Sequence, residues 1–239
     1  MTALIHDNIA PSCSTIEALY EDPDYPVTNL LTDAPADYYL CPNSTLQVDL
    51  HFPSPVIFTG IAIVNHNIPI DAAITLKLSN NNNFLSSENV VITWNELIIF
   101  QEIAKPAYKD IRLYITSTAD TMQIGQLYLG SYTEISEDPY YPVERIPIET
   151  SQILLADVGQ KNKVKGVLTW KISMNFPAIP LSEFKTLCAI NSRNEVLVLI
   201  ISTSSKEAFQ GISQIDKGQE ELEGVYFTLS IDQNPYEYQ

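Results

Sequence analysis

Residues 46–65 read LQVDLHFPSPVIFTGIAIVN, and two kinds of strand lie within them. LQVDLHF at 46–52 alternates apolar and polar residues with period two. That pattern predicts a strand with one face in a core and the other toward water. VIFTGIAIVN at 56–65 is a continuous β-branched run, the pattern of a strand covered on both faces. Two such strands in close succession predict packed β layers.

The same grammar extends on both sides. AITLKLS at 73–79 alternates again, and NNNNF at 80–84 breaks the chain as a loop. VVITW at 90–94, LIIFQEI at 97–103, IRLYIT at 111–116 and MQIGQLYLG at 122–130 read as further strands, with Gly125 and Gly130 allowing tight bends. Residues 3–10 suit a sheet edge and 12–19 a short strand. Between them and the opening stretch, Pro23 and Pro26 exclude a helix or central strand. Seven or eight short strands in about 130 residues predict a β-sandwich or jelly roll over residues 1–135.

SEDPYYPVERIPIE at 136–149 carries three prolines and no periodicity, and reads as a linker. Residues 150–239 then carry a pattern of their own. SQILLADV at 151–158 reads as a strand and GQKNKVKG as a polar, basic turn. VLTWKISMNF at 167–176 puts Leu168, Trp170, Ile172, Met174 and Phe176 on one face. Ser182 is placed to cap a short helix that turns Phe184, Leu187, Cys188 and Ile190 inward. EVLVLIIS at 195–202 and VYFTLSI at 225–231 are strands. The second part is therefore expected to be a small α+β assembly domain, an antiparallel sheet with one short helix. The whole chain is predicted to be mainly β.

Composition narrows the function. Of 239 residues, 45% are hydrophobic, enough for a real core. The net charge is −16, and residues 1–135 hold 15 acids against 4 bases. Such a chain repels phosphate backbones and anionic membranes, so neither nucleic acid binding nor membrane insertion is expected. MTALIHDNIAPS has no basic and no apolar leader region, so synthesis in the cytoplasm is expected. Cys13, Cys41 and Cys188 form no zinc or disulfide framework, although Cys13 and Cys41 could pair if folding joined them.

Chemistry is sparse. His6, His51 and His66 have no metal-ligand spacing, and no nucleophile or phosphate-loop motif is present. No enzymatic activity and no cofactor are expected. Glu21, Asp22 and Asp24 lie in a proline-punctuated loop, where solvation is the plain reading; carboxylate catalysis or a calcium ion are the sharper ones. Asn65-His66-Asn67 ends the buried strand. These three side chains either satisfy stray backbone groups or recognise a ligand at the strand tip. Tyr38 and Tyr39 are candidate contact aromatics. The polar, aromatic NPYEYQ at 234–239 suits a docking arm.

IHDN, Thr28-Asn29-Leu30-Leu31, the strand Ile61–Ile68 with its NHN, and Ile124–Gly130 (IGQLYLG) together form a series. It resembles the tail-associated virion proteins of tailed bacteriophages, many of which begin with a discoidin-like, galactose-binding-like jelly roll. The resemblance covers residues 1–135 and, more loosely, the second part. It implies a structural virion component of a tail tip or baseplate, in a symmetric multi-copy assembly with other phage tail proteins. The alternative it implies is a carbohydrate-binding module contacting a host glycan. The sequence departs from such sugar sites in lacking exposed arginines, since Arg112 lies within a strand.

Overall fold

The computed structural model describes residues 2–32, 37–96, 98–140, 144–149, 152–155, 161–164, 168–193, 195–202, 207–221 and 224–233. The fold is mainly β, with antiparallel sheets and one α-helix. The chain divides into two compact units, Met1–Glu134 with Leu197–Ala208, and Ile135–Val196 with Phe209–Gln239. No helix among the described residues is long and apolar enough to cross a membrane.

The first unit is a sandwich of two sheets. Its strands are β1 (Thr2–His6), β2 (Thr15–Ala18), β3 (Tyr39–Cys41), β4 (Thr45–Val56), β5 (Gly60–His66), β6 (Ala73–Ser79), β7 (Glu88–Ile92), β8 (Ile98–Glu102), β9 (Tyr108–Thr116) and β10 (Met122–Ile135). One sheet runs β2-β4-β9-β6-β7. The other contains β1-β10-β5-β8 in that order, with β3 pairing the start of β10. The second unit contributes β11 (Glu144–Glu149), β12 (Gln152–Leu155), β13 (Lys161–Val164), β14 (Leu168–Ile179), the helix α1 (Leu181–Asn191), β16 (Glu207–Glu221) and β17 (Gly224–Gln233). Between α1 and β16 comes β15 (Val196–Ser202), whose Val198–Ile200 segment pairs with Ala3–Ile5 of β1 in the first unit.

The alternating strand appears where expected, but the apolar run at 56–65 becomes a strand covered on both faces only from Gly60, because Val56 ends β4 and Ile57, in the connection, is 72% exposed. Along β4, Leu46, Val48, Leu50 and Phe52 point into the core, while Gln47 and His51 are only partly buried. In β5, Gly60 through Val64 are buried without interruption. The core is the apolar layer between the sheets. One wall comes from β4, β6 and β9, and the other includes Ile61 and Ile63 of β5 with Leu127 and Leu129 of β10. Burying side chains of this size contributes roughly 1.5–3 kcal/mol each, which makes this layer the main source of stability.

The outward face of β4 and β9 is polar but not bare. Asp49 takes a two-pronged ion pair from Arg112, both contacts at 2.7 Å, and His51 Nδ1 lies 2.6 Å from Asp110. Phe84 from the asparagine-rich loop lies over the Arg112 guanidinium, 4.2 Å from ring centroid to Cζ. Arg112 is thus committed to the fold.

Gly130 does not make the bend that its place in the sequence suggests. It lies inside β10, where a Cβ would stand 2.2 Å from the His6 carbonyl oxygen. Its role is to let the β1 backbone approach. Next to that contact, His6 bridges Asp7 and Thr133 through its two ring nitrogens, both at 2.9 Å.

In the second unit the sheet order is β11-β14-β17-β16. Glu144–Glu149, part of the linker expected from sequence, instead pairs with β14 from Glu144↔Ser173 to Glu149↔Leu168. Pro147 is tolerated there because β11 is an edge, where a missing N–H breaks no ladder. Two further strands are not visible in the sequence pattern. Lys161–Val164, within the expected turn, pairs with β12, and the polar β16 pairs with β17 along ten positions from Gly211↔Gln233 to Glu221↔Gly224. The helix stands where predicted and buries Leu187 and Ile190, but its N-cap is Pro180, and Ser182 lies within the first turn without capping. NPYEYQ at 234–239 lies outside the described residues.

Replacing Gly130 by Ala is expected to destabilise the protein by roughly 3 kcal/mol or more, because backbone rather than a movable side chain occupies the space. Urea unfolding of G130A against the parent checks this. A change within experimental error would refute the close-approach role.

Candidate functional site

All three candidate groups from the sequence lie at one end of the sandwich. That end is formed where β2 ends, β4 and β6 begin, β5 and β9 end, and β10 begins. The register shows why: β10 starts with Met122↔Cys41, Gln123↔Leu40 and Ile124↔Tyr39 on one edge, and Ile124↔His66 on the other. Tyr38 and Tyr39 therefore arrive on one side of β10, and Asn65–Asn67 on the other.

The carboxylate loop joins them through the backbone. Asp22 N–H donates to the Leu40 carbonyl at 3.0 Å, and Leu40 N–H donates to the Tyr25 carbonyl at 3.2 Å. Tyr39 is fully buried and its hydroxyl donates to the Tyr20 carbonyl at 2.5 Å. Burial drives its pKa far up, so Tyr39 is a neutral strut rather than a contact residue. Tyr38 is different. Its ring stacks on Tyr25 with centroids 4.3 Å apart and planes 15° from parallel. Its phenol is pushed up to about 12, chiefly through hydrogen bonding to the Tyr25 side chain, with burial, Tyr25 and the Asp22 carboxylate adding to it. The Asn29 side-chain amide donates to the Tyr38 carbonyl at 2.9 Å, fixing the platform from behind.

The carboxylates shape the loop with some of their oxygens. Glu21 Oε2 accepts from Val27 N–H at 3.0 Å, and Asp22 Oδ1 accepts from Asp24 N–H at 2.9 Å. Among the described residues no three His, Cys, Asp or Glu side chains are grouped to hold a metal ion. The loop's chemistry is that of exposed hydrogen-bond acceptors beside an aromatic surface.

Asn65, His66 and Asn67 satisfy local structure. Asn65 adopts φ 54 and packs its Cβ where Gly125 leaves room. At that point the inward positions of β10 switch from Leu127 and Leu129 to Ile124 and Met122. Asn67 Oδ1 accepts from Gln123 N–H at 2.6 Å and its own N–H donates to the Gln123 carbonyl at 3.3 Å. His66 Nδ1 accepts from Ile68 N–H at 3.2 Å, which puts the neutral ring's proton on Nε2. That nitrogen is buried and has no hydrogen-bond partner among the described residues. Desolvation lowers the His66 pKa to about 4, against a weaker opposing pull from the Asn95 backbone.

Sequence reasoning missed Tyr25. It is 37% exposed and pairs with Tyr38 across the Asp22–Tyr25 bridge. The available signal was the symmetric Tyr20-Glu-Asp-Pro-Asp-Tyr25, two aromatics flanking an acidic proline turn. The three cysteines are free. Cys41 is held by bonds to the Asn43 and Thr45 carbonyls rather than by Cys13.

No family model and no curated protein sequence matches the chain. Solved structures with similarity include chitosan-binding module 1 of a chitosanase/glucanase from Paenibacillus sp. IK-5, at TM-score 0.44 and 11% identity, over 52% of this chain and 98% of that module. The family 32 carbohydrate-binding module of C. perfringens NanJ, in complex with galactose, gives TM-score 0.42 and 14% identity over 55% and 99% of the two chains. A Streptococcus pneumoniae fucose binding module, SpX-3, gives 0.43 and 8% over 52% and 96%. Likeness this distant transfers no residue, ligand or role.

The lowered His66 pKa has a consequence for stability. An unfolded chain takes up the proton near 6.5, whereas the folded chain resists until about 4. Stability is therefore full above about pH 6.5 and falls by roughly 2–3 kcal/mol as pH drops through that window. His66→Gln is expected to remove that part of the acid sensitivity. Urea unfolding of both proteins at pH 4.5 and 7 checks it, and parallel pH profiles would refute it.

Proposed function

We propose that the first unit is a glycan-binding module whose site is the loop end around Tyr25 and Tyr38. One observation carries the reading: a stacked tyrosine pair at the surface, fixed by backbone bonds and bordered by carboxylate oxygens. A pyranose ring presents a C–H face that packs on an aromatic ring and hydroxyls that donate to nearby acceptors. The platform is ordered before binding, because Asn29, Leu40 and Asp22 already hold its backbone. Such pre-organisation lowers the entropic cost of binding. The role of the site is capture.

Tyr25→Ala in the full chain is expected to weaken glycan binding about tenfold or more, a loss of about 1.4 kcal/mol or more, while leaving the unfolding midpoint nearly unchanged. A glycan array followed by calorimetry on the best hits measures it. No binding to any glycan at millimolar concentration would overturn the reading.

A second reading, a structural component of a phage tail tip or baseplate, is favoured by the motif series in the sequence. It would place the protein in the virion, among other tail proteins and in several symmetric copies. Leu85 and Val91, 85% and 77% exposed beside the edge strand β7, offer apolar contact surface for it. Mass spectrometry of purified phage particles tests this reading. Absence of the polypeptide from intact virions would remove it, and the glycan reading would stand alone.

A further inference from the structure

The five-stranded sheet ends on β7, which β6 pairs along one edge from Leu78↔Glu88 to Ile74↔Ile92 without a register shift. Among the described residues no strand lies on its other edge. A row of backbone N–H and C=O groups is open there, and such a row pairs with another strand unless proline, lysine, a bulge or a covering segment prevents it. The edge strand β11 carries Pro147 and Arg145. β7 reads ENVVI, with no proline, lysine or bulge, and its outward residues Asn89 and Val91 are exposed.

Charge says what can meet this edge. Two molecules of net charge −16 repel each other wherever acidic surface faces acidic surface. Residues 80–95 contain one charged residue, Glu88. Its carboxylate pairs with the Lys105 ammonium and accepts from the Tyr108 hydroxyl at 2.5 Å. The edge is therefore locally neutral within an acidic molecule. It is also complementary to itself. Laid antiparallel on its own copy with Val90 opposite Val90, β7 sets Asn89 opposite Val91 and Glu88 opposite Ile92. No like charges face each other in that register, and the two outward valines become diagonal neighbours.

We propose that β7 is a dimerisation edge, at which a second copy of this chain pairs antiparallel and joins two five-stranded sheets into one. The arrangement is twofold and closes at two copies, because each molecule's β7 edge is occupied by the other. Val91, 77% exposed in the single chain, then lies beside its partner strand. The dimer rests on neither functional reading. Its consequence for capture does rest on the glycan reading: two copies make a bivalent module, which holds a polymeric or clustered glycan more tightly than one site does.

Sedimentation velocity of the full chain at pH 7, over about 1–100 μM, tests the proposal. The parent is expected to shift from monomer to dimer within that range. Added salt is expected to strengthen the dimer, since it screens the repulsion between two acidic molecules while the joined edges are neutral. Val91→Lys is expected to weaken association at least about tenfold, with an unchanged circular dichroism spectrum. Ile57→Lys, equally exposed but in the β4–β5 connection, is expected to associate like the parent. An equimolar mixture of Val91→Lys and Val91→Glu is expected to recover the dimer, because the two side chains meet on the diagonal. A parent that stays monomeric throughout would overturn the proposal and leave the glycan array to judge capture by itself. A Val91→Lys protein that dimerises like the parent would overturn it too, as would association that weakens with salt or a mixture that stays monomeric.

Discussion

The pairing of β10 on both edges is the constraint on which the first unit depends. Its fourteen residues are buried almost throughout their first nine positions, which no single-faced strand allows. Ladders on both sides satisfy the backbone, and the two sheet faces take up its side chains. β5 runs along one edge from Ile124 to Gly130, and β3 takes the start of the other. Gly130 then leaves the space in which the His6 carbonyl sits. A side chain at that one position would push β1 away from the sheet.

The site follows from that arrangement. The first residues of β10 hold Tyr39 on one edge and Asn67 on the other, so loops distant in sequence end together. Fixed by these bonds, Tyr38 has a backbone that cannot drift, and Tyr25 stacks on it. The buried neighbours Tyr39 and His66 are kept neutral by desolvation. The carboxylates, by contrast, lie on the outer loop, Glu21 and Asp24 exposed and Asp22 half-buried. Burial thus sorts the polar groups of one region into struts and contacts.

The distribution of charge matters as much as its sum. The net −16 is compatible with plain solubility. Its placement is more specific, since Lys77, Lys105 and Arg112 are drawn into ion pairs and ring contacts with residues outside the tyrosine loops. The Asp49–Arg112 pair shows the difference from Asp22 and Asp24. Asp49 has a cation in two-pronged geometry, itself covered by the Phe84 ring, while among the described residues Asp22 accepts only the Asp24 N–H and Asp24 is exposed.

Sequence by itself determined the fold class, most of the strands and the core. Alternation in 46–52 and the apolar run in 60–64 report burial directly, because side-chain direction in a strand has period two, whereas Ile57, in the same apolar run, lies exposed in the connection before β5. It also flagged most of the residues that lie together at the tyrosine end of the sandwich, including Tyr38, Asp22 and Asp24. It did not separate struts from contacts: Tyr38 and Tyr39 look alike in sequence, and only burial distinguishes them. Nor did it reveal Tyr25 as Tyr38's partner, the polar strand β16, or the pairing of β15 with β1. Those are choices of neighbour made over long chain separations, by hydrogen-bond register and packing. Local periodicity carries no information about which strand, or which ring, will lie alongside.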